Sequence, residues 1–176
     1  MFFFLVDIVL GYIPQAAGCA ICVYTVVGER IPSKKFWLTT AIFSLIAILI
    51  RTAYNVKILD FGFHTVIIWG IFILVAIGFN KFHAMRSICS ILLSGVIITA
   101  AELVTAGVFV LIYGNEKFTG MMNNTATIEG MTIKSACGVP ANLLFLLIVA
   151  VGHIVANVVR KRKALRVAAE EVSQNP

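Results

Sequence analysis

Five residues put polar chemistry into an otherwise apolar sequence: Arg51, Tyr54, Asp60, His64 and Glu102. Glu102 is the single charge in Ile88–Tyr113, a stretch about 39 Å long as a helix, enough to cross a hydrocarbon core of about 30 Å with some tilt. A carboxylate at that depth costs at least about 2–3 kcal/mol, so it is read as functional by default. Ser87, Ser90, Ser94, Thr99, Glu102, Thr105 and Ala106 recur at three- and four-residue spacing. That spacing predicts one small, polar face, with Glu102 looking inward at other helices or a cavity. Arg51, Tyr54, Asp60 and His64 fall where two further apolar stretches meet, and with Glu102 below them they predict a polar pocket. There Arg51 would neutralise Glu102 or grip an anionic ligand, and His64 would report pH or accept a hydrogen bond. These five are the candidate ligand-binding or switch residues.

Other reactive side chains lead to plainer expectations. His83 and Cys89 would make a base and a nucleophile, with Arg86 and a helix N-terminus lowering the thiol pKa. Six residues apart around a helix start, they do not share one clean face, and an ordinary basic turn is expected. His153 sits inside an apolar stretch and is expected to bond a neighbour. Cys19 and Cys22 form C-x-x-C within an apolar helix with no second pair at metal spacing, so they read as small buried hydrophobes. No phosphate loop, G-x-S-x-G, H-E-x-x-H or usable carboxylate pair occurs. No catalytic residue, metal site or cofactor is predicted, and the chain is read as a non-enzyme.

The elements that must hold these residues are helices in a bilayer. Of 176 residues, 60% are hydrophobic and only 12% charged, which sets the chain apart from ordinary soluble domains. The expected fold is an all-α integral membrane protein, a bundle of about five transmembrane helices. The spans run about 2–27, 36–55, 63–79, 88–113 and 139–159, forming one unit over 1–160, followed by a basic cytoplasmic tail at 161–176. The first is expected to bend near Pro14, and Asp7 lies close enough to its start to be solvated. It is read as a retained span, because Asp7 interrupts the apolar run and no basic n-region precedes it. Pro140 is expected at the start of the fifth span, where its missing N–H does no harm. Gly114–Ala136 reads as one long polar connection, with a chance-level glycosylation pattern at Asn123-Asn124-Thr125.

Charge placement gives orientation. With the N-terminus outside and the C-terminus cytoplasmic, ten of the fourteen Lys and Arg fall on inner segments: Arg30, Lys34, Lys35, Lys81, Arg86, Arg160, Lys161, Arg162, Lys163 and Arg166. Only Arg51, Lys57, Lys117 and Lys134 fall outside, as the positive-inside rule requires. The net charge of +6 therefore reads as topology signals at span ends, and nucleic acid is excluded as a partner.

The order Arg51, Phe61-Gly62-Phe63-His64-Thr65 and then Glu102 resembles the amino-terminal membrane region of Gram-positive GHKL-type sensor histidine kinases, over about Phe36 to Tyr113. The resemblance implies a multi-pass, ligand-sensing bundle in the bacterial cell membrane, usually dimeric, whose last helix passes a signal inward to a kinase or another signalling protein. Ten residues follow Arg166 here, without a phosphoacceptor helix or ATP-binding domain among them, so no catalytic activity is carried over. Two other likenesses belong to different classes. His83-Ala84 with Cys89 loosely resembles the membrane cysteine peptidases that process autoinducer peptides, but the spacing is one residue short and Asn80-Lys81-Phe82 stands where a glycine pair is expected. Size and span count resemble the substrate-binding membrane subunit of a vitamin transporter, which would use the pocket around Arg51, His64 and Glu102 for a small polar ligand. The expected function is sensing or ligand binding in the membrane, with signal leaving through the last helix.

Overall fold

A run of small residues, Ala16-Ala17-Gly18-Cys19-Ala20, lets one helix take the centre of the fold. In the computed structural model the chain is all-helical, with no strand among the described residues. These are 7–29, 31, 33–55, 63–123 and 128–174, with backbone alone described at 7, 51, 54–55, 63–64, 121–123, 128–137 and 168–174. A π-helical turn, Asp7–Tyr12, leads into α1 (Ile13–Val27); α2 (Lys34–Asn55), α3 (Phe63–Gly78), α4 (Ala84–Tyr113), α5 (Asn115–Asn123) and α6 (Ile128–Gln174) follow. The wide turn has a local cause. Pro14 stands at the start of α1, where its ring would press on the carbonyl of Leu10 in a regular helix.

Helix α1 packs on α2, α4 and α6, while α3 closes the side between α2 and α4, and α4 also meets α6. Half of the apolar window of α1 is buried, against 22% for α4 and 11% for α6, so α1 rather than the Glu102 helix is the hub. The fit is tight at two places. A Cβ on Gly18 would stand 2.3 Å from Cε1 of Phe145, which is fully buried on α6. A Cβ on Gly95 would stand 2.6 Å from Cη2 of Trp69, which joins α3 to α4. Between α2 and α3, the Phe43 and Phe72 rings stack at 3.9 Å.

Among the described residues, three helical stretches are long and apolar enough to cross a membrane: Ile8–Val27, Ala84–Tyr113 and Gly138–Val167. The apolar part of α3, Thr65–Gly78, is shorter. Leu103, Leu111, Leu147, Ile154 and Val159 stand exposed on α4 and α6, as suits a surface in contact with lipid rather than water.

Two expectations need correction. The polar stretch Gly114–Ala136 is not simply a loop. Gly114 (φ 80°) ends α4, α5 follows at once, and α6 already begins at Ile128. Pro140 consequently lies inside α6, twelve residues past its first, and cannot donate to the carbonyl of Ala136. The helix continues through a region that polarity alone marked as a connection.

Replacing Gly18 with Ala is expected to destabilise the protein by about 1–3 kcal/mol through overpacking against Phe145, whereas Gly70→Ala, with open space around it, should be tolerated. Thermal unfolding in detergent checks this, and Phe145→Leu should restore part of the loss in Gly18→Ala.

Candidate functional site

Polar side chains gather at the end of the bundle where α1 finishes. The carboxyl end of α1 is turned by Gly28 in the left-handed region (φ 95°), and the N–H groups of Gly28 and Glu29 both bond the Tyr24 carbonyl, at 2.9 and 3.0 Å. Ser33 Oγ accepts the Phe36 N–H at 3.0 Å and starts α2. Helix α3 ends beside them. Lys81 takes the left-handed conformation (φ 57°), and the Phe82 N–H returns to the Ala76 carbonyl at 3.2 Å. That turn leaves Asn80 buried.

Asn80, Tyr24 and Thr39 then form a buried node joining α1, α2 and the α3–α4 turn. Tyr24 Oη donates to Asn80 Oδ1 at 3.0 Å, Thr39 Oγ1 lies 3.0 Å from the same oxygen, and the two hydroxyls are 3.3 Å apart. Thr39 is also 2.8 Å from the Lys35 carbonyl, so its single proton has competing acceptors. Asn80 Nδ2 is buried without a partner, as is Ser87 Oγ. An amide turned the other way would donate to the two hydroxyl oxygens, let Tyr24 donate to Thr39 and Thr39 to Lys35, and leave only a carbonyl oxygen unbonded. The Tyr24 ring is held edge-on by Phe36 at 5.4 Å and Phe82 at 5.2 Å, which fixes where its hydroxyl points.

A second cluster ties α6 to α1. His153, Asn157 and Arg160 stand one turn apart in succession on one face of α6. Thr25 Oγ1 donates to the Ile21 carbonyl at 2.6 Å and must therefore accept from His153 Nδ1, 2.8 Å away. His153 Nε2 lies 2.8 Å from Asn157 Nδ2, so the ring bridges Thr25 and Asn157 through its two nitrogens. Arg160 Nη2 closes the column by donating to the Thr25 carbonyl. From the other side, Arg86 Nη1 reaches the Val27 carbonyl at 3.4 Å. Two cations thus meet the negative end of the α1 dipole. The arrangement is a latch. Its hydrogen bonds fix the rotation of α6 about α1, a job that apolar contacts against lipid-like surroundings do weakly.

The residues singled out by sequence fall elsewhere. On α4 the buried seam is Ser87, Ser90, Ile91, Ser94, Gly95, Ile98, Ala101 and Thr105, whereas Glu102 and Thr99 are exposed. The expectation that Glu102 looks inward is therefore corrected. At about 100° per residue, Ser87, Ser90, Ser94 and Thr105 cluster on one side, and Thr99, Glu102 and Ala106 centre roughly 100° away. Glu102 nevertheless falls between Ile91 and Gly95 of the buried seam by the same count, so the helical face alone does not account for its exposure. Arg51 closes the last turns of α2 with Tyr54, and His64 opens α3, but their side chains lie outside the described residues, as does Asp60 altogether. The proposed pocket is thus outside the described region except for Glu102.

Cys19 and Cys22 are buried free thiols, as expected of packing residues, and Cys22 Sγ lies 3.3 Å from the Ser90 carbonyl. Cys89 and His83 are both exposed. His153 does bond its neighbours, as its apolar setting suggested. Among the described residues, no group of three or more His, Cys, Asp and Glu is placed to hold a metal ion. Sequence reasoning missed Tyr24, Thr25, Thr39, Asn80 and Asn157. The readable signals were the His-x3-Asn-x2-Arg ladder of α6 and an Asn closing an apolar helix. Compared with known proteins, the chain matches no family model, no curated protein and no solved structure.

Thr25→Ala and His153→Ala should each cost about 1 kcal/mol, and the double variant should cost less than their sum by about 0.5–1 kcal/mol. Unfolding titrations in detergent measure the cycle; strict additivity would show that the two side chains are not coupled.

Proposed function

We propose that this is a multi-pass, cell-membrane sensor-like protein that passes the packing state of its bundle through its last helix to a cytoplasmic partner such as a kinase. The carrying observation is that α6 runs unbroken from Ile128 to Gln174. Its 47 residues extend about 70 Å, so the latched segment at His153–Arg160 and the basic tail beyond it form one rod. A rotation or shift set at the latch, which lies past Pro140, is delivered to the tail, because α6 has no proline beyond that point. A ligand or proton would act by favouring one of two packings, which requires different affinity for the two.

In this reading five helices cross the bilayer, with the N-terminus outside and the C-terminus cytoplasmic, and two copies pair. Arg51, Tyr54, Asp60, His64 and Glu102 form the outward-facing ligand or switch site.

Reporter fusions after Arg30, Ile58, His83, Gly120 and Pro176 test the topology. Activity of an externally active reporter is expected at Ile58 and Gly120 only; activity at Pro176 would reverse the orientation.

Cross-linking in native membranes from a photoreactive group at Val167, which is exposed, tests the function. Wild type should capture a kinase or response protein, and both Glu102→Gln and a variant with glycines at Lys163 and Ala164 should lose it. Recovery of an ATPase pair would instead indicate a transporter subunit, and capture unaffected by the interrupted helix would remove the transmission step.

A further inference from the structure

The last carbonyls of α1 carry the negative pole of its dipole, and two arginines from two other helices are fixed on them. Arg160 of α6 donates to the Thr25 carbonyl, and Arg86 of α4 donates to the Val27 carbonyl at 3.4 Å. A guanidinium has five N–H donors in a rigid plane, and each of these bonds uses one of them. Both arginines are exposed, so a full fork of donors on each remains open to the surroundings. One residue separates Thr25 from Val27, so the two carbonyls lie about 3 Å apart along the helix axis and about 200° apart around it, and the two arginines reach the end of α1 from different sides. Gly28 is exposed and puts no side chain over this end, and the place a Cβ would occupy is 3.8 Å from the Arg160 guanidinium. Exposed apolar side chains stand on the same two helices, Leu92 and Leu93 on α4 and Val155, Val158 and Val159 on α6.

We infer that Arg86 and Arg160 form a binding site for the phosphate of an anionic lipid in the leaflet at this end of the bundle. The phosphate accepts from the open edges of both guanidiniums, and the acyl chains lie along the apolar flanks of α4 and α6. The carbonyl bonds are what make the pair a site. They hold two forks in place before the lipid arrives, so little side-chain freedom is lost on binding, whereas Lys161, Arg162, Lys163 and Arg166 are exposed and attract phosphate only diffusely. Glu29, also exposed, is the acidic neighbour a lipid phosphate must outcompete. The inference stands apart from the signalling reading, because it needs only the meeting of α1, α4 and α6.

The test is native mass spectrometry of the full-length protein in detergent, titrated with phosphatidylglycerol and with phosphatidylcholine. Wild type is expected to retain one phosphatidylglycerol with about tenfold preference, the discrimination a bidentate charged contact supplies. The Arg86→Gln/Arg160→Gln variant should lose that preference, and Lys161→Gln/Lys163→Gln, which removes the same charge from the tail, should keep it. Equal loss in both variants, or retention in the first, overturns the site in favour of diffuse attraction. If the Gln variant does not fold, Arg86→Lys/Arg160→Lys keeps the charge without the forks; loss of preference there supports the site and full retention overturns it. Inorganic phosphate is titrated in parallel. Thermal stabilisation by millimolar phosphate without lipid, absent in the arginine variant, would assign the pair to a soluble phosphate and overturn the lipid assignment.

Discussion

The fold depends on how closely α6 can approach α1. Gly18 meets the face of Phe145 at a distance that leaves no room for even one carbon, and both residues are buried. Helices in lipid gain little from hiding apolar surface, since lipid is equally apolar, so close packing must supply the association. The run from Ala16 to Ala20 provides it by letting α2, α4 and α6 all reach the same short helix. Among the described residues the same device recurs where Gly95 accepts Trp69 and fastens α3 to α4.

Packing of this kind brings helices together but leaves their rotation weakly specified, and the polar contacts supply what is missing. The Tyr24–Thr39–Asn80 node, the Thr25–His153–Asn157 latch and the two arginines on α1 all lie toward one end of the bundle. A buried hydroxyl or amide can be satisfied in few orientations, so each such contact removes rotational freedom that methyl groups would allow. The unpartnered Asn80 Nδ2 and Ser87 Oγ sit at the same end, which makes it polar beyond the needs of helix packing. Small residues along α1 bring the helices close, and the polar residues at its end fix how they are turned.

How much of this the sequence displays follows from the kind of signal involved. Apolar length announces a helix regardless of its neighbours, so the all-helical character and the apolar stretches ending near Val27 and Tyr113 could be read directly. Which side of a helix is buried depends on which neighbours arrive. Ser87, Ser90, Ser94 and Thr105 fit the seam, but Glu102, which shares their three-four spacing, is exposed, because whether a position is covered depends on how far each neighbouring helix reaches and not on spacing. The node was invisible for a different reason. Tyr24, Thr39 and Asn80 are 15 to 56 residues apart, and only the fold brings them together. His153, Asn157 and Arg160, by contrast, lie on one helix at a readable period, and their face was legible although their partner Thr25 was not.

The unequal fastening of α6 also bears on how it would act. Its apolar window is only 11% buried, so most of the helix borders on surroundings that offer no fixed contacts. Phe145 and Val149 hold it against the core, Asn142 lies buried near Gly11 of the π-helical turn, and the latch holds it at Thr25. Three anchor points along one edge of a rod resist sliding, which breaks all of them at once, whereas rolling about that edge is opposed by the latch alone. A change at the π-helical turn, where Pro14 has already loosened the backbone bonding, would therefore reach α6 as rotation about the α1 axis. Rotation is the motion an unbroken helix conveys best. The basic residues from Arg160 to Arg166 would turn with it, changing which charges face the bilayer surface and which face a partner.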